Sequence, residues 1–225
     1  MKAFYKINDA KHVVIVTNNK TFANANAFYS YILSKHKKVT LVCTEKIDEN
    51  FSFLPWFDKK KENIPASAEL TTDAQKTLSD TLVLFSFLKN SNVKINEKMA
   101  TSLYAGLLLE YDAFKSDKCD STVFAVASEL IQLNAAYKTC NDFLFRRDSL
   151  ALFRLKALLY KSMLLSADAT LLKMYMNDDD LLASGASSKD AEYIMREALN
   201  IVHVENVTLY DRDTKNKILK STKEM

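Results

Sequence analysis

The sequence contains very little glycine and proline. Of its 225 residues, 2 are Gly and 2 are Pro, where average usage would give roughly 16 and 11. The two glycines, Gly106 and Gly185, lie far apart. Walker loops, dinucleotide-binding turns and nucleophile elbows each need clustered glycines. The usual P-loop, Rossmann and α/β-hydrolase classes are therefore excluded.

Cysteine, histidine and long apolar runs are also scarce. Cys43, Cys119 and Cys140 have no paired spacing, and the 3 His are scattered, which argues against a zinc site and fits free thiols in a reducing cytoplasm. The longest near-apolar stretch, residues 81–88, is far shorter than the roughly 20 residues that span a bilayer. The run at 13–16 is too short for a signal-peptide core. We expect a cytoplasmic protein with no membrane insertion.

The composition does provide a substantial core. It is 48% hydrophobic and 26% charged, which excludes disorder as the dominant state. The formal net charge of +3 is too small to argue by itself for nucleic acid. Basic clusters occur at 35–38, at 59–61 and across 212–223, and we predict solvated faces and a loose tail there. Frequent Lys and Asn with little Gly suggest a bacterial origin.

The first 44 residues predict a βαβ unit. Residues 12–17 (HVVIVT) and 39–44 (VTLVCT) have the pattern of short buried strands, and residues 22–34 have an apolar helical stripe. This order implies two parallel strands joined by a right-handed crossover. The aromatic segment 51–57 contains Pro55, which excludes a central strand and leaves an edge strand or a packed loop.

The rest of the chain predicts a helical middle and a small α+β end, so the fold class is α/β. Residues 59–67 form a polar connector, and the pattern is helical from about residue 68 to 165. The predicted helices are 74–88, 97–111, 121–133, 136–145, 148–165, 178–182 and 188–200, and the predicted strands are 167–177, 201–210 and 217–220, with Asn96 as an N-cap.

Three segments in this order resemble the DHH phosphoesterases, in particular the nanoRNase/pAp-phosphatase branch related to RecJ. Residues 17–25 (TNNKTFANA) stand where that family has [S/T]-H-x-x-P-D-G-D-A; residues 51–58 (FSFLPWFD) and 93–114 resemble segments further along. The resemblance implies a DHH-like domain over 1–165, with a parallel βαβ sheet and a helical middle. A truncated DHHA1-like α+β domain over 166–225 would follow.

The resemblance also implies a two-metal centre, usually manganese, whose ligands are not kept here. Asn18 stands in place of the motif His, Phe22 in place of the first Asp and Asn24 in place of the second; at the later T-D-T site only Glu110 carries a carboxylate, with Asp112 nearby. The D-H-H string and the glycine-rich substrate loop are absent. A further strand bearing an Asp is expected to be deleted around residues 63–80.

These departures predict a vestigial site with no metal, no cofactor and no catalytic residue, in a protein that acts as an interaction, regulatory or scaffold protein. A protein partner or a homo-oligomer is expected. The alternative is a residual phosphoesterase for short oligonucleotides or nucleoside bisphosphates, with one manganese ion on Glu110, Asp112 and Asn24. Two weaker alternatives are metal-free binding of nucleic acid through the basic segments, and a remnant pocket at Asn18, Asn19 and Asn24 that binds a nucleotide or a small anion without metal.

Overall fold

A computed structural model describes residue 7 and residues 9–91 and 93–223. The chain divides into two compact units, the first ending at Arg147 and the second beginning at Asp148. The resemblance placed this division after residue 165. The helix between the two positions belongs to the second unit, because its Leu155 and Leu159 are fully buried in the core of that unit.

The first unit begins with the predicted βαβ arrangement. Strand β1 (His12–Thr17) leads through helix α1 (Phe22–Ser34) to strand β2 (Lys38–Cys43), and β1 and β2 pair in parallel with Val13 opposite Val39. The inner strand β1 is almost wholly buried, as its continuous β-branched sequence predicts. The parallel α/β fold class is therefore confirmed.

Two further strands complete this sheet, and the sequence missed both. Strand β3 (Lys60–Lys61) pairs in parallel with β2, and strand β4 (Leu70–Asp73) pairs in parallel with β1, giving the order β3-β2-β1-β4. The expectation that the segment around 63–80 lacks an Asp-bearing strand is wrong, since β4 ends at Asp73. Its sequence is short and polar, and at a sheet edge only Thr72 needs to be buried.

Helices cover this sheet and supply most of the first core. They are α2 (Ala74–Thr77), α3 (Thr81–Asn90), α4 (Glu97–Glu110), α5 (Ser121–Gln132) and α6 (Tyr137–Phe145). Helix α1 packs against α4, and both are buried over most of their length. The Asn96 side chain accepts from the Met99 N–H at 3.0 Å, which confirms the predicted N-cap.

The aromatic segment after β2 forms no strand. It contains two short 3₁₀ turns, Glu49–Phe51 and Phe57–Lys59, so the packed-loop alternative is the one observed. The Phe51 and Phe57 rings lie edge-on to the ring of Phe22, with centroids 5.4 and 6.1 Å away. These rings are therefore part of the core.

The second unit is a mixed four-stranded sheet with helices. Its elements are α7 (Leu150–Lys161), β5 (Leu164–Leu165), β6 (Leu171–Met176), α8 (Asp178–Ser184), α9 (Ser188–Ala198), β7 (Asn206–Asp211) and β8 (Lys217–Thr222). The order is β5-β6-β7-β8, with β6 and β7 parallel and both edge strands antiparallel. The strand predicted at 217–220 is thus present as part of β8, and the basic segment that contains it is not a loose tail. Among the described residues, no helix is both long and apolar enough to cross a bilayer.

Candidate functional site

A cavity of about 790 Å³ lies at the carboxyl ends of β1, β2 and β4. Strands β2 and β4 flank β1 on opposite sides, so the cavity lies where the strand order reverses. In open parallel sheets, ligands bind in the crevice at this position. The lining residues are Asn19, Lys20, Thr21, Asn24, Asp48, Phe51, Gln75, Ser79, Thr81, Gly106, Leu109 and Glu110.

Asn18 and Asn19 shape the loop between β1 and α1. The Asn18 Oδ1 atom accepts from the backbone N–H of Thr21 at 3.3 Å and from its hydroxyl at 3.2 Å, which closes the turn into the helix. The Asn19 amide binds the loop after β2: its Nδ2 donates to the Glu45 carboxylate, and its Oδ1 accepts from the Asp48 N–H at 2.8 Å. Both side chains thus satisfy local polar groups.

Asn24 lies on α1, and its side chain is buried against the start of α3. Its Nδ2 donates to the backbone carbonyl of Leu78 at 2.8 Å and to the Thr81 hydroxyl at 3.0 Å. A Cβ atom on Gly106 would lie 2.2 Å from Asn24 Oδ1 and 2.9 Å from Thr81 Oγ1. The missing side chain of Gly106 is therefore what allows the Asn24–Thr81 pair to pack against α4.

Glu110, at the end of α4, is hydrogen-bonded to the start of α3. Its Oε2 atom accepts from the backbone N–H of Thr81 at 2.9 Å, one of the N–H groups at the first turn of α3 that lack a partner within the helix. A carboxylate there is stabilised by the helix dipole. The pKa of the neighbouring Tyr111 is raised, first by burial and then by the negative charges of Glu110 and Asp80.

The structure brings together only two of the five residues predicted for the vestigial site. Asn24 and Glu110 line the cavity and are linked through Thr81. Phe22 is fully buried in the aromatic core. Asp112 is exposed at a backbone φ of 46°, in a left-handed turn outside the cavity lining.

Three residues near the cavity were missed by the sequence analysis. Thr81 joins Asn24 to Glu110, Asp48 is another lining residue, and Asp73 ends β4, where its Oδ1 accepts from the Gln75 N–H at 3.0 Å. Asp or Asn just after a strand and before a helix is a capping signal, but β4 itself was not recognised. Even so, in the part of the chain that the structure describes, no three His, Cys, Asp or Glu residues lie close enough to hold a metal ion.

Comparison with solved structures identifies the fold. An exopolyphosphatase-related protein from Bacteroides fragilis superposes with a TM-score of 0.74 over 96% of this chain and 80% of its own, at 13% sequence identity. The chain has the DHH phosphoesterase fold. At this identity the likeness to DHH proteins concerns the fold alone.

Two other DHH-fold structures superpose less closely. A putative family II inorganic pyrophosphatase from Methanococcus jannaschii gives a TM-score of 0.33 at 9% identity over 89% of this chain and 83% of its own. Exonuclease RecJ bound to manganese gives 0.39 at 8% identity over 94% and 79%. No protein-family model matches the sequence, and no curated protein is significantly similar to it.

Proposed function

We propose that this chain is a non-catalytic protein of the DHH fold that acts through binding, as an interaction or regulatory protein. The observation that carries the proposal is that the side chains at three positions where the resemblance implies metal ligands make structural contacts instead. Phe22 is buried among aromatic rings, the Asn24 amide bonds Leu78 and Thr81, and Glu110 bonds the Thr81 N–H. Each side chain stabilises the fold at the place where a ligand would be needed.

The charge around the cavity supports the same conclusion. Two adjacent divalent ions concentrate about four positive charges, and their dehydration must be offset by anionic ligands. Among the described lining residues, only Asp48 and Glu110 carry carboxylates, and Lys20 adds a positive charge. Hard cations take several oxygen ligands each, so this donor set does not fit a two-metal centre.

A residual metal-dependent phosphoesterase is the alternative. The cavity supports it, because its volume is ample for a nucleotide-sized ligand and it lies at the reversal of strand order. Under this alternative Glu110 would hold one manganese ion with Asn24, and turnover of short oligoribonucleotides or nucleoside bisphosphates would depend on it. Asp112 would not be a ligand of that ion, because it is not among the residues that line the cavity.

Manganese titration by calorimetry, combined with two variants of Glu110, tests the proposal. Glu110→Gln keeps an oxygen that accepts from the Thr81 N–H but removes the charge, whereas Glu110→Ala removes both. We expect no stoichiometric Mn²⁺ binding, stability near that of the native chain for the glutamine variant, and a loss of about 1 kcal/mol for the alanine variant. Tight binding of one or two ions that Glu110→Gln abolishes, with turnover lost in parallel, would establish the phosphoesterase instead.

The partner under this proposal is another protein or a second copy of the chain. Exposed apolar side chains on α5 support it: Phe124 is 53% exposed and Ile131, two turns further along the same stripe, is 40% exposed. Light scattering distinguishes between these two partners. A dimer mass that Phe124→Glu reduces to the monomer mass identifies a second copy of the chain as the partner. A monomer mass at all concentrations indicates that the partner is a different protein.

A further inference from the structure

Helix α5 carries two stripes of residues with the spacing of a helix–helix contact, and the structure buries only one of them. The buried stripe, on the side of the helix that packs on α4, consists of Val123, Ala127 and Leu130. The other, here called the outer stripe, consists of Ser121, Phe124, Ser128 and Ile131. Its residues follow the a and d positions of a heptad, and all of them are exposed. A stripe suited to pairing with a helix is thus presented to solvent.

The outer stripe lies on a helix that has almost no charge. Glu129 is the only charged residue in α5, and its carboxylate is paired with Lys89 of α3 at 2.8 Å. Helix α9 has a similar length and carries five charged residues, as is usual for a helix whose outer face is solvated. Depletion of charge is instead typical of the centre of a protein–protein interface.

The Phe124 ring is held in position at the surface. It is 53% exposed, and its centroid lies 5.6 Å from that of the Phe114 ring, which in turn lies 6.0 Å from the buried ring of Tyr104. Phe114 is the last of three consecutive residues with left-handed φ values, 46°, 53° and 65°, a conformation that is unfavourable for residues other than glycine. This turn places an aromatic ring against Phe124, so the exposed side chain is ordered before any partner binds.

The outer stripe is complementary to a second copy of itself. If two α5 helices lie antiparallel about a two-fold axis between residues 127 and 128, Phe124 of each copy meets Ile131 of the other. The large ring and the branched aliphatic side chain are then paired at both ends of the contact. Ser128 lies beside the axis, where a small side chain lets the two helices approach closely. Contacts of this reciprocal kind define an isologous interface.

An even more exposed phenylalanine lies on a helix face that lacks this complementarity. Phe153 of α7 is 64% exposed and Leu150 is 63% exposed, but Arg154 and Lys161 are exposed on the same side of that helix. Two copies of this face would bring like charges together, which is costly in an interface. The neutral face of α5 has no such obstacle.

We propose that two copies of this chain associate through α5, which packs antiparallel on α5 of the second copy about an axis between residues 127 and 128. The proposal rests on the binding function proposed above, and it assigns to that function a partner and a surface. A charged peptide would find almost no opposite charge on this helix. Because a single helix pair is smaller than a standard protein–protein interface, we expect a dimer that forms reversibly.

Disulfide cross-linking tests the position of the axis, with the full chain carrying Cys119→Ser as the parent so that one partly exposed native thiol is absent. Helix axes 8–10 Å apart would place the two Cα atoms of residue 128 about 4–6 Å apart, within the span of a disulfide. On mild oxidation, Ser128→Cys should therefore give a band at twice the 25.6 kDa of the chain. Gln132→Cys is the matched control, because Gln132 is also exposed on α5. Its Cα atoms in the two copies would be separated by about 13 Å along the helices, too far for a disulfide.

A second pair of variants tests the contact itself. Added to Ser128→Cys, Phe124→Glu should reduce the cross-linked yield to that of the parent, because it would bury a carboxylate against Ile131 of the other copy. Phe153→Glu changes a phenylalanine of similar exposure on α7 and should leave the yield unchanged. Circular dichroism of each variant verifies that it is folded.

Three results would overturn the proposal: no cross-link with Ser128→Cys, equal yields with Ser128→Cys and Gln132→Cys, or a cross-link that Phe124→Glu leaves intact. None of these measurements involves a metal ion or turnover. A failed cross-link would therefore reject the second copy as the partner at α5, whereas the manganese titration separately decides whether the protein is non-catalytic.

Discussion

At Gly106, helices α1 and α4 approach so closely that the Asn24 amide occupies the space of a side chain. Gly106→Ala would place its Cβ 2.2 Å from Asn24 Oδ1, so one of the two helices must shift. We expect a loss of about 1–3 kcal/mol in the free energy of unfolding, measured by urea denaturation.

A double-mutant cycle attributes this loss to the amide. In an Asn24→Ala background the obstructing oxygen is gone, and Gly106→Ala should then cost markedly less, with a coupling of about 1 kcal/mol or more between the two positions. Strictly additive effects would mean that the contact between Gly106 and Asn24 does not limit the packing. Gly185→Ala is an unsuitable control, since that residue has a φ of +73° and its substitution adds backbone strain.

The three thiols should differ in reactivity according to their burial. Desolvation is the largest influence on all three: it raises the pKa of Cys43 to about 11 and that of Cys140 to about 12, and it also raises the pKa of Cys119. Because the thiolate is the nucleophile, we expect alkylation at pH 8 in the order Cys119, Cys43, Cys140.

For Cys43 the pKa predicts a pH dependence as well. A rise from 9.0 to about 11 leaves about 100-fold less thiolate at pH 8 than an ordinary cysteine has. The alkylation rate should therefore increase about tenfold per pH unit until the pH approaches 11. Peptide mapping after timed alkylation measures the rates, and a rate for Cys43 that levels off below pH 9 would contradict the prediction.

At the scale of elements, the break between α2 and α3 is a feature of the fold that the sequence pattern did not predict. The sequence predicted one helix over 74–88, yet α2 ends at Thr77 and α3 begins at Thr81, where the Asp80 side chain accepts from the Val83 N–H at 2.8 Å. The break places Thr81 and Leu78 against Asn24. Helical periodicity does not reveal this, because both short helices share one apolar stripe.

The Asp80 cap should contribute measurably to stability. We expect Asp80→Ala to lower the free energy of unfolding by about 1 kcal/mol, whereas Asp80→Asn, which keeps the accepting oxygen, should cost only a few tenths. Urea denaturation of the two variants provides the measurement. Equal losses would assign the effect to the negative charge near the helix start instead of to the hydrogen bond.

Strands β3 and β4 show why short edge strands escape a sequence analysis. The two residues of β3 are both lysine, and β4 has the polar sequence LTTD. Neither offers the apolar alternation on which strand prediction depends. They pair because β1 and β2 already present open edges, so their structure follows from the neighbouring strands. Strand β1, by contrast, was predicted correctly because it is buried on both faces.

At the scale of the molecule, the segment between the two units should be the first site of proteolysis. Arg146 and Arg147 are exposed and lie between helices, at the boundary of the compact units. Exposed, irregular segments are where proteases cut first. We expect brief trypsin treatment to cut after Arg146 or Arg147 and to leave two resistant fragments, identified by mass spectrometry.

The variant Arg146→Gln/Arg147→Gln provides the control and should delay the appearance of both fragments. A first cut at Lys161 instead would favour the division after residue 165 that the resemblance implies. The structure argues for the earlier division, because Leu155 and Leu159 have no exposed surface and pack with the second sheet.

The candidate site was only partly predictable. The resemblance pointed to Asn24 and Glu110, and both line the cavity. It also pointed to Asp112, which lies in the turn after α4 and is not part of that lining, and it gave no sign of Thr81 or Asp48. A sequence motif identifies a ligand position from neighbouring residues alone. The cavity, by contrast, is formed by the loops that follow three strands, and these loops meet only because of the order of the strands in the sheet.

The sequence alone determined the βαβ start, the helical middle and the loss of the acidic and imidazole groups from the loop after β1, because each depends on local periodicity or on the identity of single residues. Tertiary structure decided the rest: that β4 closes one edge of the first sheet, and that Gly106, Asn24 and Glu110 meet at Thr81. These contacts join residues distant in the chain, and no local pattern encodes which distant partners will meet.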